Sequence, residues 1–157
     1  MYYTSSAFTG TYATIGGLGS FPGGAGTVFL KPASSRGTVI IDNAGNVPLG
    51  RTELSGTQVL DANLIIRGRA VVGHPAQQSL NLTLNGSVTI DAESGFSVDG
   101  RGFSGSQGPG AGGDGPSIAA GAGHGGAGGT AHPAFVVGSP GGCYGSIFEP
   151  TDFGSGG

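Results

Sequence analysis

Apolar and polar residues alternate clearly only in the middle of this chain. Between Gly26 and Gly100 the alternation comes in short runs: GTVFLK (26–31), GTVIIDN (37–43), NLIIRG (63–68), RAVV (69–72), LNLTLNG (80–86), SVTI (87–90) and FSVDG (96–100). Each run is rich in β-branched residues and closes on Gly, Asn, Asp or Pro, the pattern of a short strand ending in a turn. Their apolar positions, Val28, Leu30, Val39, Ile41, Leu64, Ile66, Leu82, Leu84, Val88 and Ile90, form the candidate core. Helix formers such as Lys, Glu, Gln and Met are scarce, so helices are not expected. The chain reads as all-β.

Two of these stretches echo each other position by position. Asn63-Leu64, Ile66 and Gly68 fall on Asn81-Leu82, Leu84 and Gly86, and Val72 falls on Ile90. A second, closer echo links Gly26-Thr27-Val28 to Gly37-Thr38-Val39. Each unit reads as a strand, a one-Gly corner, a second strand and a polar return. A one-residue link is too tight for a hairpin, which needs at least two loop residues. The chain is therefore expected to bend at the corner and continue into a new face. Short strands without helical crossovers leave a sandwich, a barrel or a solenoid, and the doublets favour a β-solenoid over an irregular sandwich. On that reading Asn63 stacks over Asn81 in an amide ladder, one strand spacing of about 4.8 Å away.

Composition sharpens the picture at both ends. The 157 residues include 36 Gly and 9 Pro, a level typical of low-complexity chains when it lacks a period. Here glycines recur in one phase of three at 102, 105 and 108, and again at 123, 126 and 129. That period suits polyproline II geometry, whose three residues per turn put every third position on one side. The tract is expected to be a Gly-rich, partly polyproline-II-like excursion packed on the solenoid flank. A single module (1–157) results, with a Gly- and aromatic-rich lead-in over 1–25 (Tyr2, Tyr3, Phe8, Tyr12, Phe21), rungs over 26–100 and a packed Gly-rich segment over 101–157.

Charge removes several function classes. Nine acids against six bases give a net charge of −3, and no basic stripe offers a footprint for nucleic acid. No apolar run approaches the roughly 18 residues that span a bilayer, so membrane insertion is not expected. The opening MYYTSSAFTG lacks a signal-peptide pattern. An exported form would then be a mature chain or a piece of a longer one. The single Cys143 forbids an internal disulfide framework, leaving a small side chain in a Gly-rich turn or an intermolecular link.

The segment from Thr57 to Asp99, followed by GHGGAGG (123–129) and CYGSIFEPTDFGSGG (143–157), resembles the Gly-rich right-handed parallel β-helix repeat module of large bacterial cell-surface and secreted proteins. The resemblance implies a right-handed parallel β-helix in an extracellular structural or adhesive repeat, with no catalytic residues to carry over. Such modules run from Gly-Ser-Gly-Gly into a further strand, whereas this chain stops there, and GGLGSFPGGAGTVFLK (16–31) looks like the missing continuation. Copies are therefore expected to stack head to tail, a contact that does not close and gives filaments. A segment cut from a longer chain explains the same ending.

Candidate chemistry is sparse. Asp91, Asp99 and Arg101, with Glu93 between them, could line a carbohydrate groove, since paired carboxylates serve as acid and base in glycoside cleavage. Their spacing matches no calcium loop, and Asp-Gly and Glu-Ser-Gly are ordinary turn sequences. His74, His124 and His132 are too far apart in sequence for a zinc motif. GAGGDG and GHGGAGG lack the Lys and the strand-to-helix context of a phosphate cradle. The expectation is a non-enzymatic extracellular protein with no cofactor and no metal, whose main partner is itself. A carbohydrate-binding or carbohydrate-cleaving domain is the alternative, with glycans as its partner.

Overall fold

The β-branched runs form strands in the computed structural model, and no helix occurs among the described residues, which are 1–115, 118–130, 138–149 and 151–157. Ten short strands follow in order: β1 (Tyr2–Tyr3), β2 (Val28–Pro32), β3 (Gly37–Asp42), β4 (Thr52–Glu53), β5 (Gly56–Leu60), β6 (Ala62–Arg67), β7 (Val71–Gly73), β8 (Leu80–Leu84), β9 (Val88–Ile90) and β10 (Gly95–Phe96). The chain divides into two compact units, Met1–Val98 and Asp99–Gly157. All ten strands lie in the first.

Those strands make three sheets, ordered β1-β2-β3-β6-β9, β10-β7-β4 and β5-β8. In the largest sheet β3, β6 and β9 run parallel, with Val39 beside Leu64 and Leu64 beside Val88. Ile41, Ile66 and Ile90 align in the same way. The chain thus returns to one register at Val39, Leu64 and Val88, a longer circuit than either echo in the sequence. Two further parallel pairs share this longer return, with Gln58 beside Leu82 and Val71 beside Gly95, whereas Thr52 beside Val72 closes a shorter circuit and Tyr2 beside Lys31 a longer one.

Neither the β-solenoid expected from the doublets nor the right-handed parallel β-helix implied by the resemblance is what the chain forms. No solenoid or closed sheet is found among the described residues, and the largest sheet is mixed. β2 runs antiparallel to β3, with Val28 opposite Ile40 and Leu30 opposite Thr38. The closer echo is thus the two arms of a hairpin and not two stacked layers. Its reversal starts at Pro32, whose fixed φ suits a turn, and Lys31 Nζ donates to Ser35 O at 3.0 Å across the loop. The longer echo aligned two different corners, because Gly68 lies between β6 and β7 and Gly86 between β8 and β9, and the strand that pairs with β6 is β9 and not β8. Asn63 pairs with Thr38 and Asn81 with Thr57, so the amide ladder does not form. Instead Asn63 Oδ1 accepts from Ser87 N at 3.0 Å and from Ser87 Oγ at 3.1 Å.

Alternation along β3 and β6 places Val39, Ile41, Leu64 and Ile66 on one buried face with Ala25, Ala62, Ala70 and Val72. Burial then decays along the parallel register. Leu64 and Ile66 are 2% and 0% exposed, whereas Val88 and Ile90, one strand further, are 48% and 45% exposed. The expected core residues Val28, Leu30, Leu82 and Leu84 are half-buried. β8 and β9 each have a neighbouring strand on one side only; Leu82 and Leu84 of β8 still pack against the core, whereas Val88 and Ile90 of β9 are left exposed.

Polar side chains hold the corners. Asn43, 1% exposed, donates from Nδ2 to Asn46 O at 2.8 Å and accepts from Gly16 N at 3.0 Å. Gly68 turns the chain after β6 at φ +62°, and a Cβ there would sit 2.5 Å from Asp42 Oδ1 and 2.6 Å from Ala44 N. Both reasons restrict the position to Gly. Arg67 Nε pairs with Asp42 Oδ2 at 2.7 Å, so this carboxylate ties adjacent strands together. Its other oxygen accepts from Ala44 N at 2.8 Å.

The second unit carries no strand ladder among its described residues. Single backbone hydrogen bonds cross between segments, including Gly113 N to Ser139 O, Gly121 N to Gly129 O and Gly123 N to Gly110 O, each 2.8 Å. Close approach requires missing side chains: a Cβ on Gly112 would meet Ala120 O, and one on Gly128 would meet Gly121 O. The phase of three does not by itself select the packed positions: Gly102, Gly105, Gly108 and Gly123 meet neighbouring segments and Gly126 and Gly129 face open space, while Gly112 and Gly128, in other phases, also meet backbone. The positions that touch backbone follow the crossings of the chain and not a polyproline period.

The decay of burial along β3, β6 and β9 sets an expected difference between two substitutions. Leu64→Ala should destabilise the fold by about 2–5 kcal/mol, whereas Val88→Ala should cost less than about 1 kcal/mol. Urea unfolding of the two variants side by side checks this. Equal costs would mean that Val88 is covered.

Candidate functional site

Asp91 closes β9 as part of a turn. Its N–H donates to Ile66 O at 3.0 Å, and its carbonyl accepts from Ser94 N at 3.1 Å. In the same turn Glu93, at φ +60°, forms an ion pair with Arg69 at 3.1 Å. Asp99, exposed, and Arg101, half-buried, open the second unit, and both are engaged in contacts. Asp91 belongs to the first unit, so neither unit by itself holds all three residues of the expected carbohydrate groove.

The histidines have separate surroundings. His74 Nδ1 lies 2.8 Å from Pro75 O, His124 packs in the second unit, and His132 lies outside the described residues. Among the described residues no three His, Cys, Asp or Glu side chains come together. Cys143 is a free, exposed thiol.

Sequence reasoning missed a polar node in the second unit. The Tyr144 hydroxyl donates to Phe153 O and accepts from Ser155 Oγ at 2.8 Å. Ser155 Oγ in turn accepts from Gly110 N at 3.0 Å. Tyr144 N donates to His124 O at 3.0 Å, and the two rings meet edge to face with centroids 4.7 Å apart. These three side chains tie GHGG, CYG and GSGG to one another, so the signal lay in the residues that carry the family resemblance.

Beside the node runs an open groove of about 520 Å³, lined by His124, Gly125, Cys143, Tyr144, Gly145, Ser146 and Ile147. A thiol and an imidazole are the residue types of a nucleophile and its base. Here His124 Nε2 is buried without a hydrogen-bond partner, so the thiol is not hydrogen-bonded to it. The geometry is that of packing and not of an activated pair.

The most prominent feature of the first unit is a bare margin. Among the described residues, β8, β9 and β10 pair with a strand on one side only. Val88, Ile90, Phe96 and Val98 are exposed there. Natural sheet edges are often blunted by Lys, Pro, a bulge or shortness of the strand; β9 and β10 are short, at three and two residues, but β8, β9 and β10 contain neither Lys nor Pro. This margin is the candidate functional surface.

Removing the Tyr144 hydroxyl would leave Phe153 O unsatisfied. Tyr144→Phe should therefore cost about 1–3 kcal/mol, read as a lower unfolding midpoint with the chain still folded. An unchanged midpoint would remove the node from the account. No protein-family model, no curated protein and no solved structure matches this chain.

Proposed function

We propose that this chain is a non-enzymatic structural protein of the cell exterior, whose copies associate through the open strand margin to build a fibre or surface stalk. The observation that carries the reading is the exposure of Val88 and Ile90 in the register where Leu64 and Ile66 are buried. Covering a large aliphatic side chain fully contributes about 1.5–3 kcal/mol. Two residues nearly half exposed therefore offer on the order of 1 kcal/mol each. The unpaired backbone groups of β8, β9 and β10 add direction, since an extended strand is what they bind.

Composition supports the same reading. Only 10% of the residues are charged, so electrostatic self-repulsion between copies is small. A net charge of −3 disfavours nucleic acid as a partner. Placement outside the cell rests on the resemblance carried by GHGGAGG and CYGSIFEPTDFGSGG.

Sedimentation velocity and negative-stain electron microscopy over a concentration series test the proposal. Assembly should increase with concentration and persist under reducing agent, because strand edges and not Cys143 hold the copies together. Monodisperse single chains at every concentration would overturn it. Assemblies that dissolve on reduction would assign the contact to Cys143 instead.

A further inference from the structure

Resting on that self-association, we infer that two copies pair β9 against β9 in antiparallel fashion about a two-fold axis at Thr89, so that this contact closes as a dimer. The argument starts from the apolar column of the largest sheet. Val39 and Ile41 lie beside Leu64 and Ile66, and these lie beside Val88 and Ile90. Each pair shields the one before it, and the last pair is 48% and 45% exposed. An occupant that continues the column must bring an extended strand with aliphatic residues two positions apart.

The far side of the same sheet offers no such strand. There the outer side of β3 is taken by β2, and beyond β2 lies β1, formed by Tyr2 and Tyr3. Tyr2 is 79% exposed and aromatic, so a head-to-tail joint would set a short Tyr-Tyr edge against Val-Thr-Ile. β9 matches its own kind better: in an antiparallel pair centred on Thr89, Val88 of one copy faces Ile90 of the other. Two such aliphatic cross-strand pairs form, with Thr89 opposite Thr89.

Charge sets the direction. Within the molecule the register alternates in sign, since Asp42 lies beside Arg67 at an ion-pair distance of 2.7 Å. Asp91 follows at the next strand, hydrogen-bonded through its N–H to Ile66 O. A second copy added parallel and in register would put Asp91 beside Asp91 and Glu93 beside Glu93, about 4.8 Å apart. Like charges directly opposite are destabilising. The antiparallel arrangement sends Asp91 opposite Ser87 and carries the two Glu93 side chains to opposite ends. An isologous contact of this kind closes on itself, so a fibre would grow from dimers through a second, different contact.

Engineered thiols in a Cys143→Ser background read the direction. Val88→Cys and Ile90→Cys chains, mixed and mildly oxidised, should form a mixed disulfide dimer, while each alone stays uncrosslinked on a non-reducing gel. Ile90→Lys, at a position exposed enough to leave the fold intact, should weaken the dimer at least about tenfold by sedimentation equilibrium, because pairing would bury the ammonium. Cross-linking of Val88→Cys chains alone would overturn the two-fold arrangement while keeping self-association. An unweakened dimer in Ile90→Lys would move the contact away from β9. A chain that stays monomeric at all concentrations would overturn the self-association reading itself.

Discussion

The parallel register that sets β6 between β3 and β9 is the constraint on which the first unit depends. It aligns an aliphatic pair on each strand, Val39 and Ile41, Leu64 and Ile66, Val88 and Ile90. Alternation along each strand sends both members of a pair to the same face. The central pair has neighbours on both sides and loses nearly all contact with water, whereas the last pair has one neighbour and does not. Small residues make the column dense: Ala25, Ala62 and Ala70 let the adjoining segments approach the same core. At the corners, Asn43, Asp42 and Gly68 meet the backbone demands of each bend.

The second unit solves a different problem with a different device. It has too few large apolar residues to bury, so its segments are drawn together by backbone contacts that only Gly permits. Tyr144 anchors that arrangement by satisfying one carbonyl and one hydroxyl while its ring packs on His124. A side chain added at a crossing such as Gly112 or Gly128 would push two backbones apart. High Gly content here is a packing requirement.

Function follows from where these solutions stop. Two side chains that look reactive in sequence have structural contacts: Glu93 is paired with Arg69, and the His124 ring packs edge to face on Tyr144. Among the described residues the first unit leaves one margin with no neighbouring strand on its outer side and with exposed aliphatic surface. That combination suits an extended, apolar partner strand, and in the proposed assembly a copy of the same chain supplies it. The carboxylates after β9 then bear on the direction in which the copy lies.

Much of the local structure was legible in the sequence. The β-branched runs became strands, helix formers were scarce and no helix formed among the described residues, and Val39, Ile41, Leu64 and Ile66 proved buried. The spacing between the parallel strands β3, β6 and β9 was also present, as Val-x-Ile, Leu-x-Ile and Val-x-Ile at 39, 64 and 88. It was masked by a more literal echo, Asn63-Leu64 against Asn81-Leu82, that matched two unlike corners. Pairing partners and strand direction were decided only by the tertiary structure. Hydrogen-bond groups on a strand are the same whichever neighbour they meet, so the turn at Pro32 could make β2 antiparallel without any change in its pattern. Residue chemistry determined which segments are strands and which face each side chain takes. Long-range pairing determined which apolar side chains are covered, and therefore which edge remains open to a partner.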